Sequence, residues 1–104
     1  MYFGKILKVK PEKLDKVRKW FSEMGTLRKE EALATFSFEG VTREVFTLFK
    51  GIDGEYYVIG LNEANSTPQK GDPSVLLNQE HRAIMAECFD PITEKGEILL
   101  DLSL

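Results

Sequence analysis

The sequence predicts an α+β domain with the element order βαββαβ, in which two helices cover one face of a four-stranded antiparallel sheet. Three observations predict this class. A long amphipathic stretch follows an initial strand pattern, an Asp-Gly pair joins two further strand patterns, and a second amphipathic stretch precedes a last apolar run. The 104 residues give room for one modest core, so we expect a single domain over residues 1–104.

The first strand is predicted over residues 2–9, where side chains of both parities are partly apolar. Phe3, Leu7 and Val9 would face one side of a sheet, whereas Tyr2 and Ile6 would face the other. Both sides of this strand therefore favour burial.

A kinked helix is predicted from Pro11 to about residue 38. Proline suits the first helical turn, because its missing N–H has no partner there anyway. Gly25 weakens the middle of the helix, and Glu39-Gly40 supplies a stop signal. The alternation within residues 34–39 leaves helix and strand open for that segment. The helical stripe consists of Leu14, Val17, Trp20, Phe21, Met24 and Leu27.

Two strands, residues 41–50 and 55–61, are predicted to form a hairpin around Asp53-Gly54. This dipeptide favours the positive φ angles that tight hairpin turns require. Residues 62–72 follow as a polar connection, either a flap over a groove or a slack loop.

The second helix is predicted to begin at Pro73, with Asp72 as its cap, and to end near Cys88 before Asp90-Pro91. Residues 97–102 then form the predicted fourth strand. This order is the split βαβ pattern of ferredoxin-like domains.

A partner subunit is expected because the predicted strands are apolar on both sides. Alternating polar residues would mark a sheet face that meets water, and they are scarce here. We therefore expect a homodimer in which the helix-free face packs on a second copy. The apolar positions are Val41, Val45, Phe46, Leu48, Phe49, Tyr56, Tyr57, Val58, Ile59 and Leu61.

His81 and Glu44 are the candidate catalytic residues. His81 shares a helical stripe with Leu77 and Cys88, and Glu44 shares its strand parity with Phe46, so both polar side chains point toward the core. A carboxylate that accepts a hydrogen bond from the imidazole could hold a base near neutral pH. The alternative, which we favour, is a structural pair or two separate polar groups.

The same reasoning predicts a ligand pocket bounded by Phe46, Tyr57, His81 and Ile84. A small apolar or aromatic metabolite is the expected occupant. Cys88 is expected to be a small core residue and not a reactive thiol.

Composition excludes several classes. One cysteine and one histidine supply neither an internal disulfide nor a structural zinc site, so we expect no metal and no cofactor. The apolar runs are too short to span a bilayer, which predicts a cytoplasmic protein without a membrane partner. Seven Lys or Arg lie in residues 1–20, but the pI near 5.2 does not favour nucleic-acid binding.

Residues 31–46, together with Glu80-His81-Arg82 and Glu87-Cys88, resemble a family of small bacterial proteins of unknown function related to the dimeric α+β-barrel superfamily. The resemblance implies a ferredoxin-like subunit whose sheet packs on its twin, with a cavity between helices and sheet. The wider superfamily includes antibiotic-biosynthesis-type monooxygenases and haem-degrading enzymes. Their catalytic residues do not align with this chain, so the resemblance leaves open whether it is an enzyme.

Three functional hypotheses follow. The first is a dimeric small-molecule binding or accessory protein. The second is a cofactor-free or haem-dependent monooxygenase that uses His81 or Glu44. The third and weakest is an RNA platform built on sheet aromatics, namely Tyr2, Phe3, Tyr56 and Tyr57.

Overall fold

The computed structural model of the chain describes residues 1–91 and 95–104, and shows a small α+β fold. Strands β1 (Tyr2–Lys8), β2 (Val41–Lys50) and β3 (Tyr56–Ala64) form one antiparallel sheet with β3 in the centre. The helices are α1 (Leu14–Gly25), α2 (Lys29–Ala34), α3 (Phe36–Glu39) and α4 (Leu76–Cys88), and a 3₁₀ turn (Pro11–Lys13) leads into α1.

The predicted hairpin between β2 and β3 is confirmed. Gly51 N–H donates to the Glu55 carbonyl at 2.7 Å, and Gly54 takes a positive φ of 83°, which glycine adopts at low cost. Asp53 accepts the Glu55 N–H at 3.0 Å and the Tyr57 hydroxyl at 2.6 Å. The turn is therefore closed by both backbone and side-chain hydrogen bonds.

The long helical region is confirmed, but it is broken twice and not merely kinked. Thr26 turns the chain after α1, and its hydroxyl donates to the Ser22 carbonyl at 2.7 Å. Thr35 separates α2 from α3 and donates in the same way to the Ala32 carbonyl. Such side-chain bonds compete with the helical ladder. Residues 36–39 are helical, and Gly40 ends them with a φ of 76°.

Helices α1 and α4 cover one face of the sheet. Val17 of α1 and Cys88 of α4 pack against Leu7 and Val58, and Cys88 has no exposed surface. Burial also raises the pKa of the Cys88 thiol, as expected for a core residue with no reactive role.

The predicted cap of the second helix is wrong. Asp72 accepts the backbone N–H and the hydroxyl of Ser74, at 2.9 and 2.7 Å, and so forms a turn of its own. Helix α4 begins only at Leu76, after Val75 in an extended conformation. The short Asp72 side chain bonds to the donors of Ser74, two residues further on, and such local hydrogen bonds are common for Asp in turns.

The predicted fourth strand over residues 97–102 does not form. Lys95 makes an isolated antiparallel bridge to Lys5, and Gly96 N–H donates to the Gly4 carbonyl at 2.8 Å. Residues 97–104 then continue without regular structure. An apolar run becomes a strand only where a neighbouring strand offers a continuous ladder, and these residues make no further ladder bonds with β1.

Within residues 1–91 and 95–104, no helix covers the other face of the sheet, which is largely apolar. Ile6, Val45, Phe49 and Ile59 lie there, each with 40–51% of its surface exposed. Among residues 1–91 and 95–104, no helix has the length and hydropathy needed to cross a membrane.

Candidate functional site

Three of the five sequence-predicted site residues line one cavity of about 190 Å³ between the helices and the sheet. Glu44 and Phe46 reach it from β2, and His81 reaches it from α4. Lys5 of β1 and Asn62 of β3 also line this cavity on the side of the sheet. We call it the first cavity; its other lining residues are Met24, Ala32, Thr35, Glu39, Leu77 and Asn78.

The strand register explains why these side chains meet. Glu44 pairs with Asn62, and Phe46 and Lys5 both pair with Gly60 from opposite sides of β3. Paired residues share a face, and this face also carries Leu7 and Val58 of the core. The missing side chain of Gly60 leaves the space that Phe46 fills.

His81 takes its hydrogen bond from tryptophan and not from a carboxylate. The Trp20 indole Nε1–H donates to His81 Nδ1 at 2.9 Å, and the two rings stack at 6.1 Å between centroids. Nδ1 is therefore an acceptor, and the neutral ring carries its proton on Nε2. Burial, together with the positive charge of Lys5, lowers the pKa of His81 to about 4.

Glu44 lies in the same cavity, but no hydrogen bond or ion pair joins it to His81 within the part of the chain that the structure describes. The hypothetical carboxylate–imidazole pair therefore does not form, and the arrangement agrees with the alternative of two separate polar groups. Burial among the cavity walls raises the pKa of Glu44; the negative charge of Glu39 raises it further, whereas Lys5 opposes the shift. Glu44 is nevertheless one of the exposed residues of β2, because the cavity is open to solvent.

Asn62 contributes the least satisfied group of the site. Its side-chain Oδ1 is buried and accepts no hydrogen bond from any described residue. Buried side-chain oxygens are nearly always paired, because desolvation without a partner costs about 1–3 kcal/mol. Asn62 also lines the cavity, so rotation of its side chain toward that space would let a bound molecule supply the donor.

The guanidinium of Arg28 packs against the ring of Trp20. It lies 5.6 Å from the Trp20 ring and pairs with Glu31 at 2.9 Å and with Glu80 of α4. These partners raise the pKa of Arg28 above its usual range. The row of Glu80, Arg28, Trp20 and His81 therefore fixes the imidazole at the cavity wall.

The remaining two predicted residues lie elsewhere. Tyr57 occupies the helix-free face of the sheet, where its hydroxyl bonds to Asp53 in the hairpin turn. Ile84 packs against the core and lines an open groove with Trp20 on the outer side of α1 and α4. Neither borders the first cavity.

The aromatic residues of the hypothetical RNA platform are divided between the two faces. Phe3 and Tyr56 lie on the helix-covered side, whereas Tyr2 and Tyr57 lie on the open side. Stacked bases need aromatic rings on one surface, so this arrangement does not favour the RNA hypothesis.

The geometry also bears on metal and haem chemistry. The described residues contain no group of three or more His, Cys, Asp or Glu that could hold a metal ion. A histidine that binds a metal usually donates its other N–H to an acceptor. His81 does the reverse, because its Nδ1 accepts from Trp20, so its Nε2 bears the proton and does not fit an axial haem ligand.

Sequence reasoning missed Lys5 and Asn62. Both signals were visible, since Lys5 interrupts the inward parity of Phe3, Leu7 and Val9, and Asn62 continues the inward parity of Val58. A polar residue at an inward strand position indicates a polar cavity or a partner.

The model of one protein family, described as a family of unknown function (DUF6176), matches residues 5–103. No curated protein and no solved structure matches the chain.

Proposed function

The chain belongs to the DUF6176 family of unknown function, and we propose that it binds a small organic molecule in the first cavity and works as a homodimer. The observation that carries the proposal is that Asn62 lines the cavity while its side-chain Oδ1 is buried without a hydrogen-bond partner among the described residues. A ligand with an N–H or O–H group would supply the missing hydrogen bond.

The other walls suit a ligand with both polar and apolar parts. Phe46 and Leu77 offer apolar surface, while Lys5 and the neutral His81 offer N–H donors. Ligand sites typically combine apolar walls with a few placed polar groups of this kind. An apolar or aromatic segment beside Phe46, with a hydroxyl or amine at Asn62, fits this set.

The dimer is proposed on the apolar, helix-free face of the sheet. Ile6, Val45, Phe49 and Ile59 expose apolar surface on all three strands of this face, and apolar patches mark interaction sites in soluble proteins. A second copy with the same face is a complementary cover. In this arrangement the C-terminal segment would extend its pairing with β1 beyond Lys95 and complete a four-stranded, ferredoxin-like sheet.

Native mass spectrometry of protein purified without unfolding tests both parts. We expect a dimer mass with a retained small molecule, and we expect Asn62→Leu to lose that molecule while keeping the dimer. Asn65→Leu is the matched control, because Asn65 is exposed beyond the end of β3. Retention of the same molecule by Asn62→Leu would contradict the proposed site.

A second candidate function is acid-base catalysis by Glu44, as in a cofactor-free monooxygenase. It is favoured by the raised pKa of Glu44, which brings a carboxylate closer to neutral pH, where a general base is most effective. His81 suits this role less, because its Nδ1 is engaged by Trp20 and its pKa is near 4. Oxygen uptake with a quinol, lost in Glu44→Gln, would separate catalysis from binding.

A further inference from the structure

A second cavity of about 310 Å³ borders the first, and the two share Lys5 and Asn62 as lining residues. Lys5 and Asn62 therefore lie where the two cavities meet. The other residues of the second cavity are Phe3, Gly4, Gly60, Thr67, Pro68 and Lys95.

The connection that follows β3 forms one side of this second cavity. Thr67 and Pro68 line it, and the next residue, Gln69, donates its backbone N–H to the Glu39 carbonyl at 3.1 Å. The side-chain amide of Gln69 also donates to the Phe38 carbonyl. The connection predicted as either a flap or a slack loop is thus tied to α3 and forms a wall.

Charge is divided between the two cavities. The first contains the carboxylates of Glu39 and Glu44, whereas the described lining of the second contains Lys95 and no carboxylate. Lys95 is held there by its backbone bridge to Lys5, which places two lysines opposite each other on neighbouring segments. Like charges at paired positions repel, so an anion between them would be stabilising.

The two carboxylates of the first cavity would be stabilised by a positively charged group. Glu39 and Glu44 repel each other, and within the described residues neither makes an ion pair. Asn62 Oδ1 beside them lacks a donor. A ligand ammonium supplies positive charge and several N–H donors at once, which a neutral hydroxyl does not.

We propose that the two cavities together bind a small zwitterion of the ω-amino acid class, with its ammonium at Glu44 and Asn62 and its carboxylate at Lys5 and Lys95. This inference rests on the proposed binding function and names its ligand class. The ring of Phe46, which lies 5.9 Å from Lys5 Nζ, lines the space beside the aliphatic carbons of the ligand. A purely apolar ligand would leave all four polar groups without a partner.

Isothermal titration calorimetry with matched probes tests the class. The probes are 3-aminopropanoic, 4-aminobutanoic and 6-aminohexanoic acid, each compared with the carboxylic acid and the amine of the same chain length. We expect at least one amino acid to bind about tenfold or more tightly than both of its singly charged analogues, since a charge-assisted hydrogen bond contributes at least that much.

Charge-removing variants assign the two ends. Glu44→Gln should weaken binding of the amino acid about tenfold and leave binding of the carboxylic acid unchanged. Lys95→Gln should likewise weaken binding of the amino acid about tenfold but leave binding of the amine unchanged. The controls are Glu30→Gln and Lys70→Gln, at exposed positions outside both cavities. They should leave the affinity of every probe unchanged.

The outcomes separate this inference from the proposed function. A lone amine or lone acid that binds as tightly as the amino acid overturns the zwitterion assignment. If no probe binds but native mass spectrometry still finds a retained molecule, the zwitterion assignment is overturned and the proposed binding function stands. Failure of every probe, with no retained molecule, overturns both.

Discussion

At the scale of single residues, the neutral state of His81 is the feature with the clearest physical cause. Trp20 occupies its Nδ1, and burial together with Lys5 disfavours a positive charge on the ring. Helical spacing predicted that His81 faces the core, and it does. Its partner could not be predicted, because Trp20 is 61 positions away in the chain and only the packing of α1 on α4 brings them together.

We expect the stability of the protein to fall with pH through the His81 equilibrium. The folded pKa near 4 lies below the ordinary 6.5, so the unfolded chain takes up this proton first as the pH drops. The contribution of neutral His81 to the free energy of unfolding is complete above about pH 6.5 and is lost as the pH falls toward about 4. Because the ring is half-buried, wild type should lose about 1–2 kcal/mol more than His81→Gln between about pH 7 and pH 4.5.

Urea denaturation of both proteins at the two pH values measures this difference. The comparison with His81→Gln cancels the carboxylates, which titrate alike in both proteins. The chain has one histidine, so its NMR resonance is unambiguous. A titration midpoint near 6.5 in the folded protein would contradict the expectation.

At the scale of elements, the centre of β3 controls the shape of the first cavity. A Cβ at Gly60 would lie 2.7 Å from Phe46 Cε1 and 3.6 Å from Lys5 Cε. The strand therefore needs a residue without a side chain at this register position, since Phe46 fills the space above it. The hairpin was predictable because its Asp-Gly signal is local, whereas this close contact depends on the pairing of β2 with β3.

Gly60→Ala should push Phe46 into the first cavity and lower the free energy of unfolding by about 1–3 kcal/mol, the usual cost of overpacking. Gly25→Ala is the matched control, since a Cβ there meets nothing within 4 Å. At the end of α1 the control should be neutral or stabilising by up to about 1 kcal/mol. Chemical denaturation measures both, and equal effects of the two variants would disprove the steric argument.

At the scale of the whole molecule, the sheet is apolar on both sides but is covered by helices on one side. The C-terminal segment adds a second exposed apolar surface, in which Leu99, Leu100 and Leu102 are 74–88% exposed. Exposed apolar surface of this kind is the physical reason for the proposed dimer, since a second copy packed on the open face would remove that face from water.

We expect the purified protein to sediment as a dimer at low micromolar concentration. Ile59→Lys places a charge at the middle of the open face and should give monomers, because burying an unpaired ammonium is costly. Ser22→Lys, at an exposed position on α1, should remain dimeric. A wild-type protein that sediments as a monomer would contradict the dimer.

Local patterns in the amino-acid order were enough to predict an antiparallel α+β domain, the hairpin, the extent of the long helical region and the inward direction of Glu44, Phe46 and His81, but not the two breaks in that helical region. Those features depend on alternation, helical spacing and turn residues that lie close together in the chain. The pairing of β1, β2 and β3, the Trp20 hydrogen bond and the junction at Asn62 depend on contacts between distant segments. No local pattern specifies such contacts, because each arises only when the hydrogen-bond register and the packing of the helices on the sheet are settled together.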